Sequence, residues 1–335
     1  MTNDKEIFAK EDLVLEEYDK SLRPRRLVDY IGQSEIKDML NVFITTAKRR
    51  EESLDHVLLY GPPGLGKTTL ANIIANEMGK KCHSASAPSI NRIGDLVTLL
   101  TELDEGDILF IDEIHRLPQV VEEVLYSAME DYCVDIIIGK DVTANPMKIN
   151  LMPFTLIGAT TRCGDISAPL RDRFGIVHQL NYYKIDELQE IVKRTSRIYD
   201  FMIDEDSSYE IARRSRGTPR IANRLFKRVR DFTQYADENL KVIPLDITKS
   251  SLTKLDIDDE GLNKTDYRYL MALIQRFKGG PAGLNAIAAS ISEDPTTLED
   301  VCEPYLLQEG FIVRTPRGRI VTEKTYLHLG IEKWE

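Results

Sequence analysis

The residues of this chain best suited to chemistry are Gly61-Pro62-Pro63-Gly64-Leu65-Gly66-Lys67-Thr68-Thr69, spelled G-x-x-x-x-G-K-T. Glycines let a backbone curl until successive N–H groups converge, and such a nest attracts phosphate oxygens. Lys67 can then reach the outer phosphates of a nucleoside triphosphate, and the Thr68 hydroxyl can ligate Mg²⁺. The flanking sequence suits that chemistry. His56-Val57-Leu58-Leu59-Tyr60 is a short apolar run of the kind found in buried strands. After the loop, Leu70, Ile73, Ile74 and Met78 fall at helical spacing, and Gly79 sits where a helix would stop. A helix beginning here points its positive end at the same phosphates. A plain Gly/Pro turn would need none of this context.

A second acidic motif follows the apolar run Ile108-Leu109-Phe110-Ile111, which ends in Asp112-Glu113. At the end of a buried strand, Asp112 can hold Mg²⁺ through its water shell, and Glu113 can polarise the attacking water. His115, in D-E-I-H, reads more readily as a polar contact on the next helix than as a catalytic group. A third run, Phe154–Ile157, leads to Gly158-Ala159-Thr160-Thr161-Arg162, where Thr161 is the strand-tip residue placed to touch the γ-phosphate or the water. Arg173, in Ser167-Ala168-Pro169-Leu170-Arg171-Asp172-Arg173-Phe174, has two readings. It could stabilise charge developing in phosphoryl transfer at a neighbour's nucleotide, or it could form a surface salt bridge with Asp172. In Gly217-Thr218-Pro219-Arg220, Thr218 can cap and Pro219 suits the first helical position. Arg220 then falls in the first turn, where a cation opposes the helix dipole unless an anion is near; that marks it as a phosphate sensor.

Elements of defined type must hold these groups. Short apolar runs separated by helical stretches predict parallel strands of an α/β sheet over residues 21–183. A helical pattern runs from Ile36 to Arg50, and residues 134–150 read as an inserted β-hairpin. Residues 1–20 read as a flexible acidic tail. From 184 to 254 the pattern becomes helical and loses strand character, and Leu255–Gly261 is a short acidic linker candidate. The last unit, 258–335, contains a helix over Leu284–Ile291, a turn at Glu293-Asp294-Pro295, and a helix over Leu298–Gln308 capped by Thr297. Two strands then flank Thr315-Pro316-Arg317-Gly318. Helix, turn, helix and a two-stranded basic wing outline a winged helix, with Arg314, Arg317 and Arg319 placed for DNA phosphates.

Composition narrows the class of protein. The 335 residues suffice for two or three cores, and 44 basic against 55 acidic residues give a net charge of −11. That balance excludes a surface that coats nucleic acid indiscriminately but not a local basic site. Four scattered cysteines (Cys82, Cys133, Cys163, Cys302) without a C-x-x-C pair suit reduced thiols in a cytoplasmic protein rather than a metal site. No run approaches a membrane span, and no secretory h-region opens the chain.

Together, GPPGLGKTTLA, LFIDEIHRL, GATTR, SAPLRDRFG and RGTPRIANRL resemble the AAA+ ATPases. With EPYLLQEGFIVRTPRGR they are more narrowly similar to the RuvB family of Holliday-junction branch-migration motors, from about Arg23 to Thr322. The resemblance implies a P-loop AAA+ core with a parallel sheet, a small helical lid over 184–254 and a C-terminal winged helix. It implies ATP and Mg²⁺, with Leu22 and Arg23 lining the adenine pocket, and Gly64, Lys67, Thr68 and Thr69 binding phosphates. Glu130, Asp131, Tyr132 and Tyr183 match nucleotide-neighbouring positions. Arg173 matches an arginine finger acting in trans, and Arg220 matches the second sensor. DNA contacts fall on Arg314 and Arg319. The implied assembly is a homohexameric ring on duplex DNA at Holliday junctions. Its partners would be a RuvA-like junction-binding protein, met through the hairpin at 134–150, and a RuvC-like resolvase. Some relatives carry a basic residue where this chain has Pro295, and Asp231–Ser251 departs in length and spelling. An AAA+ clamp loader or protein-remodelling switch is the alternative reading of the same motifs.

Overall fold

The computed structural model describes residues 22–138 and 145–332. The expected acidic tail at 1–20 and the tip of the expected hairpin lie outside the described residues. The chain divides into two compact units. The first runs to Ile191 and includes Thr218–Arg220; the second comprises Val192–Gly217 and everything from Ile221 onward.

The first unit is built on a parallel sheet of five strands: β1 (Val57–Tyr60), β2 (Cys82–Ser86), β3 (Ile108–Asp112), β6 (Thr155–Thr160) and β7 (Ile176–Gln179). Between β3 and β6 in sequence, β4 (Cys133–Ile138) and β5 (Asn145–Asn150) pair antiparallel as a separate two-stranded sheet. The strand order β2-β3-β6-β1-β7 places the three most apolar strands in the middle. β6 is buried along its whole length, as are the first three residues of β1 and the first four of β3. Near-continuous apolar sequence is what a strand covered on both faces requires. The edge strands β2 (Cys-His-Ser-Ala-Ser) and β7 (Ile-Val-His-Gln) carry polar residues and no such run, so the sequence gives them little signal.

Four helices cover this sheet: α1 (Ser34–Arg50), α2 (Lys67–Met78), α3 (Ile93–Thr101) and α4 (Gln119–Asp131). The apolar spacing predicted for α2 is real. Leu70, Ile73 and Ile74 are fully buried, and Gly79 closes the helix in the left-handed conformation.

In the second unit, α5 (Ile185–Ile198, which begins in the first unit), α6 (Glu205–Arg213), α7 (Pro219–Ala236, likewise) and α8 (Leu245–Lys254) form the helical part. Strand character is not wholly lost there: β8 (Met202–Ile203) pairs parallel with β9 (Val242–Ile243). The C-terminal part packs α9 (Lys264–Phe277), α10 (Leu284–Ile291), α11 (Glu303–Gln308) and α12 (Glu323–Leu329) around buried Tyr269, Leu273, Leu306 and Phe311. Strands β10 (Ile312–Thr315) and β11 (Gly318–Val321) form the antiparallel wing. The expected single helix over 298–308 differs in detail. Asp294, not Thr297, is the cap, accepting from the Thr296 and Thr297 amides at 2.8 and 3.1 Å. A π-helical segment, Leu298–Cys302, precedes α11. Asp is as good a cap as Thr, and Pro295 fits the first helical position directly after it.

The acidic segment at 255–261 is clasped by three arginines at the end of α6. Arg213 donates to the Asp259 carbonyl at 2.5 Å, and Arg214 donates to the Ile257 carbonyl at 3.0 Å and pairs with Asp259 at 2.5 Å. Arg216 donates to the Gly261 carbonyl at 2.8 Å, pairs with fully buried Asp266 and lies 4.8 Å from the centre of the Tyr305 ring. Cys302 donates to the same Asp266 carboxylate at 2.9 Å, and burial pushes its thiol up to about 12. Removing one member of a buried pair strands the other charge at a cost of about 3–5 kcal/mol, whereas exposed pairs are worth about 0–1 kcal/mol. Arg216→Ala is therefore expected to lower the denaturant midpoint of the full chain by an amount in the larger range. Arg50→Ala, which breaks a pair exposed on both sides, should leave it nearly unchanged. Equal effects of the two substitutions would contradict this assignment.

Candidate nucleotide site and wing

The phosphate loop leaves the carboxyl end of β1 and enters α2, in the crevice where parallel sheets bind ligands. Its shape depends on glycine at two points. Gly61 has φ +140°, and a Cβ there would stand 2.5 Å from the Leu180 carbonyl oxygen. Gly64 has φ +84°, and a Cβ would meet the Arg220 Cβ at 3.2 Å. The Gly61 amide donates to the Thr160 carbonyl at 3.2 Å, which ties the loop to the tip of β6.

Lys67 is buried, with its ammonium donating to the Gly61 and Pro62 carbonyls at 2.8 and 3.0 Å. Burial lowers its pKa to about 8; the Asp112 and Glu113 carboxylates oppose that shift and Arg220 adds to it. Three charged groups predicted from separate motifs thus act on Lys67 within this site. Thr68 and Thr69 follow at the start of α2, both half-buried. Thr161 lies one residue past β6, while its neighbour Thr160 is fully buried. Arg220 is exposed in the first turn of α7, its amide 3.4 Å from the Gly64 carbonyl.

Two tyrosines brace the loop from behind. The Tyr183 hydroxyl lies 3.2 Å from the Leu65 carbonyl and 3.0 Å from the Tyr30 hydroxyl, either of which can take its one proton, and Tyr30 reaches the same carbonyl at 3.4 Å. Burial raises both phenols, Tyr183 to about 12. Tyr30 reads in the sequence only as an apolar residue, and its hydroxyl's role depends on a partner far away in the chain. Of the two residues expected at the adenine pocket, Leu22 is buried and Arg23 exposed.

Glu113 departs from β3 with φ +53°, a left-handed conformation rarely adopted by non-glycine residues. His115 Nε2 lies 3.5 Å from its carboxylate, and His115 Nδ1 lies 2.8 Å from Thr160 Oγ1. Burial lowers the His115 pKa, with Glu113 pulling the other way.

Arg173 makes its contacts elsewhere in the unit. It pairs with Glu130 at 3.1 Å rather than with Asp172, donates to the Pro169 carbonyl at 2.7 Å and lies 4.6 Å from the centre of the Tyr126 ring. The support beneath it is polar. Buried Glu122 accepts from Ser167 at 2.7 Å and from Tyr126 at 3.2 Å, and Ser167 caps the short helix Ala168–Arg171 that leads to Arg173. Glu130 and Asp131 end α4, exposed, and Tyr132 follows with its ring 5.9 Å from Phe154.

In the second unit, the three wing arginines are not equivalent. Arg314 and Arg319 both pair with Glu303, at 2.9 and 2.8 Å, and that carboxylate is almost fully buried and also accepts from Tyr269 at 2.8 Å. Arg319 keeps only 13% of its side-chain surface, against 47% for Arg314. Arg317 is exposed in the turn between β10 and β11. The sequence shows all three as equal cations because Glu303 lies on another element.

A phosphate loop at the carboxyl edge of a parallel sheet, with two carboxylates at the end of β3 one strand further across the sheet, defines the first unit as a P-loop nucleotide-binding ATPase core. Comparisons with known proteins carry this further. The Holliday junction DNA helicase RuvB P-loop domain matches residues 22–180, the RuvB AAA lid domain matches 183–258, and the RuvB C-terminal winged helix domain matches 259–330. The chain is 57% identical to the Holliday junction branch migration complex subunit RuvB of Acholeplasma laidlawii, covering 100% of this chain and 98% of that one. It is 59% identical to the same subunit of Lactiplantibacillus plantarum, over 93% and 92%. A solved structure of the Thermotoga maritima RuvB Holliday junction branch migration motor superposes with a TM-score of 0.84 at 50% identity, covering 93% of this chain and 99% of that one. The chain belongs to the RuvB family.

The wing geometry separates binding from stability. Arg317→Ala should reduce the salt slope of duplex-DNA binding by about 1 while leaving thermal stability unchanged. Arg319→Ala should lower both affinity and melting temperature, because it leaves the buried Glu303 short of a partner. Identical melting temperatures for the two variants would contradict the assignment.

Proposed function

We propose that this chain is the ATP-driven subunit that moves duplex DNA during branch migration of Holliday junctions in recombination and repair. It would act in the cytoplasm as a homohexameric ring. The observation that carries the reading is the presence in one chain of a phosphate loop, the Asp112–Glu113 carboxylates and a basic wing, matched end to end by branch-migration subunits. The same match favours a motor over a clamp loader or remodelling switch. The proposed divisions are an ATPase domain over 21–183, a lid over 184–254 and a winged helix over 258–335, after a tail at 1–20. Among the described residues, no helix is long and apolar enough to cross a membrane.

The roles follow from chemistry and placement. Gly64, Lys67, Thr68 and Thr69 would hold the phosphates of ATP, and Leu22, Arg23 and Tyr183 the base. Tight glycine turns and a buried lysine fit that cargo. Thr68 and Asp112 supply the oxygen donors that suit Mg²⁺, which when bound neutralises charge between the outer phosphates. Glu113 would take the proton from the attacking water, Thr161 would orient that water, and Arg220 would sense the γ-phosphate from the lid. Arg173, paired with Glu130, would reach the nucleotide of the adjacent subunit, and Asp131 and Tyr132 would neighbour that nucleotide. Arg314, Arg317 and Arg319 would meet DNA phosphates. Within the hairpin expected at 134–150, β4 and β5 pair as a separate two-stranded sheet with Met147 exposed, which suits docking of a RuvA-like junction-binding partner. A RuvC-like resolvase would act on the same junction.

Mixed assemblies test the shared site. Lys67→Ala and Arg173→Ala proteins should each lose DNA-stimulated ATPase, the latter by about 10³–10⁵-fold if Arg173 is a true finger. Mixing them should restore measurable activity, because some interfaces then pair an intact lysine with an intact arginine. No rescue at any ratio would count against a site completed in trans.

A further inference from the structure

The contacts around Glu113 include two groups that the proposed reaction leaves without a role, His115 and Thr160. The backbone of Glu113 is fixed on both sides. Its amide donates to Asp112 Oδ1 at 3.0 Å, and its carbonyl accepts from the Arg116 amide at 2.8 Å, closing the 3₁₀ turn Ile114–Arg116. Its side chain remains one-third exposed. His115 is the neighbour that limits it. The ring is 9% exposed, with Nε2 3.5 Å from Glu113 Oε2, so a small rotation of the carboxylate completes a hydrogen bond.

The other ring nitrogen determines whether that bond can form. His115 Nδ1 is 2.8 Å from Thr160 Oγ1, and the same oxygen already accepts from the Arg162 amide at 2.9 Å. The hydroxyl has one proton, and among the described residues His115 Nδ1 is the acceptor within reach of it. Donated to Nδ1, that proton places the ring proton on Nε2, the side facing Glu113. A neutral imidazole has one donor nitrogen and one acceptor, so the partner of one side fixes the role of the other. Thr160 is fully buried, and its carbonyl accepts from Gly61 at the base of the phosphate loop. The brace therefore runs from Arg162, at the strand tip beside Thr161, through Thr160 and His115 to Glu113.

We propose that His115 is a positioning residue for Glu113, held in its donor tautomer by Thr160, so that one carboxylate oxygen is anchored while the other faces the attacking water. This rests on the reading of Glu113 as the general base. A carboxylate held by one donor keeps its second oxygen available. A free one samples rotamers in which neither oxygen meets the water, and catalytic geometry is sensitive to displacements of about 1 Å.

Steady-state ATPase of the full chain with duplex DNA, alongside direct binding of a fluorescent ATP analogue, tests this. His115→Phe keeps the ring's bulk without a donor. It should lower kcat by about 10–100-fold, as loss of a supporting contact commonly does, with analogue affinity and melting temperature little changed. His115→Gln, whose amide N–H can occupy the place of Nε2–H, should recover most of that loss. Thr160→Val should reproduce the defect and Thr160→Ser should not, and the Phe/Val double variant should be no worse than either single. Glu113→Gln is the control. If it abolishes turnover while His115→Phe keeps kcat within about twofold, the brace is refuted and the base reading stands. If Glu113→Gln turns over normally, the base reading itself fails. A His115→Phe protein that loses analogue binding together with kcat, or one that His115→Gln does not rescue, would assign the residue a packing role and overturn the proposal.

Discussion

The first unit depends on the carboxyl edge of its parallel sheet. Strands running the same way end together, so the residues just past β1, β3 and β6 meet without any of them being near the others in sequence. The bond from the Gly61 amide to the Thr160 carbonyl joins two of those ends directly. From this edge the loop gains its curl and Lys67 its burial. Asp112 and Glu113 gain their effect on that lysine. A break in the β1–β6 pairing would separate the phosphate loop from the proposed base, because β6 is the strand that lies between β1 and β3.

Charge in the second unit is organised by burial. Glu303 and Asp266 are nearly inaccessible carboxylates, each supporting more than one partner. Asp266 anchors Arg216, and Glu303 holds two of the three wing arginines. Such arrangements contribute modestly to net stability but penalise the loss of any one partner heavily. They also orient guanidinium groups before any ligand arrives, which lowers the ordering cost of binding. An overall acidic chain can in this way present a directed basic surface without becoming a polycation.

Much of this was legible in the sequence because the relevant signals are local. The phosphate loop, the buried strands ending in Asp112 and Thr160, the α2 spacing and the wing each depend on adjacent residues. What the sequence did not disclose depends on distant pairs. β2 and β7 are edge strands with little apolar content, recognisable only by their neighbours. Tyr30 gained a hydroxyl contact across the fold, and Arg173 took Glu130 in place of the adjacent Asp172. The wing arginines looked alike until Glu303 divided them. The cap at Asp294 was missed for a different reason: Thr297 is an equally good capping type three residues on, and local chemistry alone does not choose between them.

The central claim is that hydrolysis at the Gly61–Thr69 site drives DNA movement by this chain. Branch migration of a synthetic four-way junction by purified protein, with a junction-binding partner, ATP and Mg²⁺, tests it most directly. Wild-type protein should convert the junction to duplex products only while ATP is hydrolysed, and Glu113→Gln protein should bind ATP yet leave the junction in place. Normal migration by Glu113→Gln protein, or vigorous ATP hydrolysis by wild type with no movement of the junction, would contradict the account.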